Sequence, residues 1–260
     1  MLGRYIYKYF TAVCKTYKVI TINSDRYRIS QESLGDVERV LLECGIDDKT
    51  CVINCAGAIP QRCGPAAEAN YYIVNAIFPH VLWSACQRHG AKMIHPTTDC
   101  VYNGRRGSYK ESDAADESGA YGLSKALGEC ATVIRTSIIG KELRNKKSFM
   151  EWVLGSEGSV NGWTNHMWNG ITCLQWCKIV EQILERDLFW RGTRHLMSPV
   201  PYSKYDMAMT IRDIFALDLI VNPIVASEPV DKTLGSEFPN IFDIPDLREQ
   251  IEELKDFDLN

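Results

Sequence analysis

Short apolar runs alternate with longer segments of helical periodicity through the first half of this chain. Residues 51–55, 92–95 and 132–135 are apolar runs bounded by turn-forming residues, which is typical of strands buried in a parallel sheet. Residues 66–88 and 119–130 lie between these runs and have helical periodicity. Because parallel neighbours need a crossover connection, usually a helix, the alternation predicts a doubly wound α/β fold.

The remaining segments extend this pattern into two parts. We predict helices over 2–17, 37–44, 174–185, 204–215 and 241–254, and one further strand over 19–22. The regularity loosens after residue 140, where the polar and aromatic stretch 161–170 suits a binding loop. We therefore expect a Rossmann-like domain over 1–140 and a smaller C-terminal lobe over 141–260 that is partly interleaved with it.

Composition narrows the class of protein. The 260 residues are 45% hydrophobic and 24% charged with a net charge of −4, which is ordinary for a globular protein and gives no support for nucleic-acid binding. No run approaches the length of about 18 apolar residues that suggests a membrane span. None of the ten cysteines forms a Cys-x-x-Cys pair, and no histidine joins them at zinc-like spacing. We therefore expect no metal site and a reducing, cytoplasmic location.

Tyr121 and Lys125 are four residues apart in the predicted helix over 119–130, so they share one face. An ammonium beside a phenol favours the phenolate and lowers a phenol pKa that starts at about 10, which would make this tyrosine a usable acid or base. The pair alone is a weak signal, because an exposed helical pair is its ordinary explanation. Thr98, which follows the predicted strand over 92–95, adds a hydroxyl to the set.

An ordered series of motifs surrounds this pair. It consists of Thr97-Thr98-Asp99-Cys100-Val101-Tyr102, Tyr109-Lys110-Glu111-Ser112-Asp113, Tyr121-Gly122-Leu123-Ser124-Lys125, Gly128-Glu129 and Arg135-Thr136-Ser137. The series resembles the extended short-chain dehydrogenase/reductase superfamily. Within it the likeness is to the dTDP-4-dehydrorhamnose reductase family, whose pattern is Ser-Thr-Asp-Tyr-Val-Phe, Tyr-Gly-x-Ser-Lys, Gly-Glu and Arg-Thr-Ser. Cys100 stands where that family has an aromatic residue, so part of the pocket wall is expected to differ.

The resemblance implies NAD(P)H-dependent reduction of a nucleotide-linked 4-keto-sugar in deoxysugar synthesis. In that reaction Tyr121 donates the proton, Lys125 depresses the pKa of Tyr121 and binds the nicotinamide ribose, and Thr98 orients the substrate carbonyl. The expected partner is the nucleotide-sugar substrate, and a homodimer is kept open.

The cofactor-binding residues are implied by the same resemblance. Residues 54–58 resemble the turn beneath the adenosine and pyrophosphate, where small residues permit close approach; an ordinary strand-to-loop turn is the alternative. After strand 19–22, Asp25 favours a free ribose 2′-hydroxyl whereas Arg26 favours a 2′-phosphate. Both NADH and NADPH therefore stay open, and NADPH is favoured because an arginine pairs with phosphate. The full set is Gly3, Asp25, Arg26, Cys55, Ala56, Gly57, Asn75, Tyr121, Lys125 and Ser137.

Substrate contacts are expected from the turn after strand 92–95 and from the stretch 161–170. The candidates are Thr98, Asp99, Trp163, Asn165, His166 and Asn169. Aromatic side chains in loops also serve as lids and minor cores, so a packing role for Trp163 is equally open.

The chain begins where a Rossmann fold is expected to be under way already. Gly3 resembles the last glycine of the family's Gly-x-x-Gly-x-x-Gly motif, but the first strand and the two earlier glycines do not precede it. That strand is central in a 3-2-1-4-5-6 sheet, so its loss leaves the backbone edges of two neighbours unpaired. We expect a start codon assigned too late; a degraded or non-catalytic relative and a fold without the strand are the alternatives.

Two other functions compete with reduction. Epimerisation or dehydration of a sugar nucleotide uses the same Tyr/Lys pair with bound NAD, although Asp99-Cys100 in place of Asp-Glu disfavours a 4,6-dehydratase. A non-catalytic regulatory protein, similar to the regulatory subunit of methionine adenosyltransferase, is the alternative from a different class. The intact Tyr121 and Lys125 favour an enzyme, whereas the missing first strand favours the regulatory protein.

Overall fold

A four-stranded parallel sheet forms the centre of the fold, in the order β1-β2-β3-β8. The structure is a computed structural model and describes residues 1–60, 68–144, 146–257 and 259. Its strands are β1 Cys51–Ile53, β2 Lys92–Thr97, β3 Thr132–Arg135, β4 Ile138–Ile139, β5 Gly158–Trp163, β6 His166–Trp168, β7 Ile171–Thr172, β8 Gly192–His195, β9 Tyr202–Ser203, β10 Leu219–Ile224 and β11 Val230–Asp231. Its helices are α1 Leu2–Lys8, α2 Val37–Glu43, α3 Glu68–Tyr71, α4 Phe78–Arg88, α5 Ala120–Leu127, α6 Phe149–Leu154, α7 Cys173–Glu185, α8 Lys204–Phe215 and α9 Leu247–Asp256.

Helices cover both faces of this sheet, as a doubly wound fold requires. Met93 and Ile94 are neighbours on β2, both fully buried, and they enter different apolar clusters. Ile94 packs in the cluster that holds α1 and α7, whereas Met93 packs in the cluster that holds α2 and α4. Because side chains alternate across a strand, an apolar run without alternating polar residues is what two buried faces demand. The predicted α/β class is confirmed.

Two predictions for the beginning of the chain are wrong. Residues 19–22 form no strand, and Ile20 and Ile22 are 46% and 39% exposed. A strand needs a neighbouring strand for its backbone groups, and within the described residues no strand pairs with the outer edge of β1. The first helix is also shorter than predicted, because α1 passes into a π-helical turn over Tyr9–Val13 and ends there.

The second half of the chain forms small sheets and also returns to the first one. β5 pairs with β10, and β6 lies between β9 and β11. β8 pairs with β3, so residues beyond 140 also contribute a strand to the central sheet. The stretch 161–170, predicted as a loop, instead contains the end of β5 and all of β6. Its mostly exposed β5 side chains explain why its composition suggested a loop.

The closing helix begins later than predicted, at Leu247 rather than residue 241. Asp246 caps it by accepting a hydrogen bond from the backbone N–H of Arg248, 3.0 Å away, which is the usual role of an aspartate at this position. Leu247, Ile251 and Leu254 are fully buried against the larger core cluster. No helix in the described ranges is both long and apolar enough to cross a membrane.

Candidate active site

Thr98 opens a short turn at the C-terminal end of β2. Its hydroxyl oxygen accepts a hydrogen bond from the Cys100 backbone N–H at 3.1 Å, and its hydroxyl donates to the Asp99 carboxylate at 3.0 Å. This capping bond starts the 3₁₀ turn Asp99–Val101. Ligands of open parallel sheets bind outside the carboxyl ends of the strands, which is where this turn places the Thr98 hydroxyl.

Helix α5 carries Tyr121 and Lys125 against this turn, and Gly122 makes the close approach possible. A Cβ atom at residue 122 would lie 2.5 Å from the Cys100 carbonyl oxygen and 2.5 Å from the Glu117 side chain. The Thr98 and Tyr121 hydroxyls come close enough for Thr98 to lower the pKa of Tyr121. The residues predicted as catalytic therefore lie together.

Replacing Gly122 with alanine is expected to destabilise the protein and to impair any activity of this site. Overpacking costs about 1–3 kcal/mol, against about 1 kcal/mol that alanine contributes in a helix, and the clash is with backbone that cannot rotate away. Urea unfolding measures the loss. The matched control is Gly35→Ala, since nothing lies within 4 Å of a Cβ atom there. Equal midpoints for the two variants would contradict this packing argument.

The predicted cofactor turn, residues 54–58, lies against the Lys125 side chain. The Lys125 ammonium is 3.3 Å from the place a Cβ atom of Gly57 would occupy. Asn75 braces this turn from helical residues: its amide oxygen accepts from the Ala58 N–H at 2.9 Å, and its amide nitrogen donates to the Ala58 carbonyl at 2.9 Å and to the Ser124 hydroxyl at 3.2 Å. Asn75 is fully buried, so it links the turn to α5 rather than lying on a helix surface.

Burial, and not the neighbouring ammonium, dominates the pKa of Tyr121. Desolvation raises this pKa above its ordinary value, the charges of Cys100 and Asp99 raise it further, and the bond with Thr98 lowers it. The expectation that Lys125 would depress it is therefore not met in this structure. Burial also lowers the pKa of Lys125 to about 8. At neutral pH Tyr121 is a protonated phenol, and Lys125 is mainly an ammonium.

A buried Asn54–His95 pair, which sequence analysis missed, ties the cofactor turn to β2. The Asn54 amide nitrogen is 3.1 Å from His95 Nδ1, and the Asn54 amide oxygen accepts from the Ala56 N–H at 3.1 Å. His95 is fully buried, and burial, with the Lys125 charge second, lowers its pKa to about 3. A neutral His95 therefore accepts from Asn54 through Nδ1. The sequence did contain an indication of this pair, because each of the two predicted parallel strands has a polar residue, Asn54 or His95, near its C-terminal end.

A second buried network centres on Arg135 at the end of β3. Its guanidinium donates to both Glu129 carboxylate oxygens, to the Tyr102 hydroxyl and to His195 Nε2 at 3.0 Å. Since Nε2 accepts, Nδ1 of His195 carries the proton and donates to the Gly235 carbonyl at 2.7 Å. Arg135 therefore joins the segment after Thr98, the residue after α5 and the C-terminal lobe. Sequence analysis treated Arg135 only as part of the Arg135-Thr136-Ser137 motif and missed this role.

The other predicted cofactor residues lie in different surroundings. A Cβ atom at Gly3 would lie 3.3 Å from Cys55 Cβ, so the start of α1 contacts the turn over 54–58 that also includes Ala56. Asp25 and Arg26 are exposed, and their backbone N–H groups donate to the Asn23 side chain. The Ser137 carbonyl accepts from the Ile171 N–H at 2.9 Å.

Two of the predicted substrate residues form side-chain hydrogen bonds with the protein backbone. Asn169 is buried, and its side chain donates to the Leu234 carbonyl and accepts from the Leu234 N–H. The Asn165 side chain likewise donates to the Ala226 carbonyl and accepts from the Ala226 N–H. Trp163 is 46% exposed and packs on His166 with ring centroids 4.4 Å apart. Thr98 and Asp99 of this set lie beside Tyr121.

A cavity in the described part of the protein surface does not coincide with the candidate active site. A cavity of about 880 Å³ is lined by residues of the 141–156 and 255–259 regions, among them Lys141, Trp152 and Phe257. None of the predicted catalytic, cofactor or substrate residues lines it. The candidate active site is therefore defined by the converging side chains.

A known family model matches most of this chain. The model of the RmlD substrate binding domain matches residues 1–235. The chain belongs to the RmlD substrate-binding domain family. A relative by sequence is a dTDP-4-dehydrorhamnose reductase of Mycobacterium tuberculosis, 39% identical over 87 residues. That alignment covers 32% of this chain and only 29% of the length of the relative.

Solved structures of the same group share the fold of this family member. A dTDP-4-dehydrorhamnose reductase from Clostridium acetobutylicum superposes with a TM-score of 0.77 at 21% identity, over 98% of this chain and 95% of the other. One from Bacillus anthracis, solved in complex with NADP, gives 0.76 at 19% identity, over 98% and 94%. At these identities the likeness establishes the Rossmann-like fold.

Proposed function

We propose that this protein is an NADPH-dependent reductase that converts the 4-keto group of a nucleotide-linked sugar to a hydroxyl. The observation that carries the proposal is that the Thr98 and Tyr121 hydroxyls lie close together, while Lys125, one turn further along α5, lies against Gly57 in the turn over 54–58. The family and its named reductase relatives support the same chemistry. Deoxysugar synthesis is the corresponding biosynthetic role.

The residues fit a bound dinucleotide at this turn. Gly57 leaves room for Lys125 to lie against the backbone, and Gly3 brings the start of α1 onto Cys55. NADPH, when bound, supplies the hydride that reaches the carbonyl carbon. Lys125 and the backbone of 55–57 would hold it, and Asn75 keeps that backbone in place through three hydrogen bonds.

The proton is handled by this chain's own side chains. Tyr121 is protonated at neutral pH because burial raises its pKa, so its hydroxyl can donate to the carbonyl oxygen as that oxygen gains negative charge. Thr98 already uses its oxygen to accept from Cys100, and its own proton can turn from Asp99 to the substrate oxygen. Lys125 does not lower the pKa of Tyr121 in this structure, so its proposed role is to bind the nicotinamide ribose.

The choice of NADPH over NADH, the cytoplasmic location and the homodimer stay predictions. The relative from Bacillus anthracis was solved with NADP, which supports NADPH for this chain. Arg26 is exposed and free of the core, so it is available to a ribose 2′-phosphate. The half-buried Tyr121 beside Thr98 and the buried Lys125 weigh against a regulatory protein, which has no physical need for them.

The test is a spectrophotometric assay of NADPH oxidation with dTDP-4-dehydrorhamnose, with NADH in parallel. We expect turnover with both dinucleotides or with NADPH alone, and a melting temperature raised by either active cofactor. Saturation 100-fold above Kd adds about 2.7 kcal/mol of stability. Interconversion of sugar nucleotides without net NADPH oxidation would establish the epimerase instead. A folded protein that neither binds nor oxidises NADPH would overturn the proposal.

A further inference from the structure

Lys204 occupies an unfavourable place for a cation. It is the first residue of α8, next to Ser203, whose hydroxyl oxygen accepts from the Asp206 N–H in a capping box. A positive charge at a helix N-terminus opposes the helix dipole. Stability of α8 therefore gives no reason for a lysine here.

Two aromatic rings enclose the Lys204 ammonium. It lies 4.8 Å from the Phe149 ring centroid and 5.5 Å from that of Trp168. Among the described residues its only hydrogen-bond acceptor is the Met207 sulfur at 3.8 Å, and no described carboxylate lies within 4.0 Å of it. Cation–π contacts contribute to holding the charge, but the ammonium still lacks an oxygen partner for its three donors.

This ammonium lies near the end of the strand that carries the Thr98 turn. Trp168, which the ammonium contacts, is three residues before Ile171, and the Ile171 N–H donates to the Ser137 carbonyl just beyond β3, the neighbour of β2. Burial lowers the pKa of Lys204, and Asp99 and Cys100 are the groups near enough to raise it again. Asp99 is itself occupied, since its carboxylate accepts from Thr98. The same Asp99 and Cys100 also act on Tyr121. Lys204 and Tyr121 therefore approach one turn from two different parts of the chain.

We propose that Lys204 binds a phosphate oxygen of the nucleotide-linked substrate. The proposal rests on the proposed function and names the group of the substrate that the lysine recognises. A phosphate supplies the oxygen acceptors and the negative charge that this ammonium lacks. Phe149 and Trp168 exclude water from the pair, which strengthens a charge-assisted hydrogen bond.

The experiment compares Lys204→Met with Lys204→Arg, and uses Lys49→Met, an exposed lysine in a turn, as the matched control. Steady-state kinetics with dTDP-4-dehydrorhamnose and calorimetric titration with dTDP, thymidine and NADPH are the readouts. For Lys204→Met we expect KM and the Kd of dTDP to rise about 10-fold or more, the range for one charged hydrogen bond. kcat and the NADPH Kd should change less than threefold, and thymidine binding should be equal in all variants. Lys204→Arg should recover part of the loss.

Several results would overturn the assignment of Lys204. An unchanged KM and dTDP Kd in folded Lys204→Met would do so, as would a raised KM with an unchanged dTDP Kd, which would point to a sugar contact. If Lys204→Met fails to fold, Lys204→Gln replaces it in the same comparison. A wild-type protein that binds dTDP through Lys204 but shows no turnover would overturn the reductase proposal and support this one.

Discussion

Replacing Tyr121 with phenylalanine is expected to lower kcat/KM for keto-sugar reduction by about 100-fold or more. The hydroxyl is the proton donor of the proposed reaction, and general acid catalysis contributes about 10²–10⁴-fold. The ring stays, so its edge contact with Tyr71 at 5.9 Å is preserved. Steady-state rates of NADPH oxidation measure the effect.

The control for this substitution is Tyr7→Phe, which removes a hydroxyl from an exposed tyrosine on α1. It should retain the wild-type rate within about twofold. A Tyr121→Phe variant as active as this control would remove Tyr121 from the chemistry. That result would favour the hypothesis of a non-catalytic regulatory protein.

Replacing Arg135 with methionine is expected to cost about 3–5 kcal/mol of unfolding free energy, because it leaves a buried carboxylate uncompensated. The Arg135 and Glu129 side chains are only 6% and 15% exposed. Tyr102 and His195 lose a donor in the same step. Urea unfolding followed by circular dichroism measures the loss.

The control is Arg39→Met, since Arg39 pairs with Asp36 and Glu43 on an exposed surface where ion pairs add little. Its urea midpoint should equal that of the wild type. Adding Glu129→Gln to Arg135→Met should recover part of the loss, because the second substitution removes the stranded charge. Additive losses in the double variant would show that the two side chains do not stabilise each other.

Three strands of the central sheet, β1, β2 and β3, were predictable because each contains an apolar run whose burial follows from its own residues. The fourth strand, β8, was missed because its residues, Gly192 to His195, include no apolar run. Val133 and Ile134 are fully buried on β3, and any apolar run of that length in an α/β pattern suggests such a strand. Strand 19–22 was not predictable in the same way. Its formation depends on a neighbour to pair with, which is a property of the assembled sheet. The stretch 161–170 was misjudged for a different reason, since most side chains of β5 are exposed and those of β6 are half-buried or buried.

Some contacts of the candidate site could likewise be predicted from the sequence, and others could not. Tyr121 and Lys125 belong to one helix, so their spacing alone predicts that they meet. Asn54 and His95 are 41 positions apart, and they meet because the parallel register sets Ile53 beside Ile94. Lys204 is brought to the Thr98 turn by packing between elements, which no local pattern encodes.

The contacts of α1 have a consequence for synthesis on the ribosome. The Arg4 side chain donates to the Leu259 carbonyl, 255 positions away, and Tyr5 stacks on Phe257 at 5.7 Å. At translation rates of about 5–20 residues per second, about 10–50 s separate the emergence of these partners. The cover that α7 provides for this helix is made earlier, because α7 ends at Glu185. The packing of the first helix is therefore completed only when the last residues of the chain have emerged.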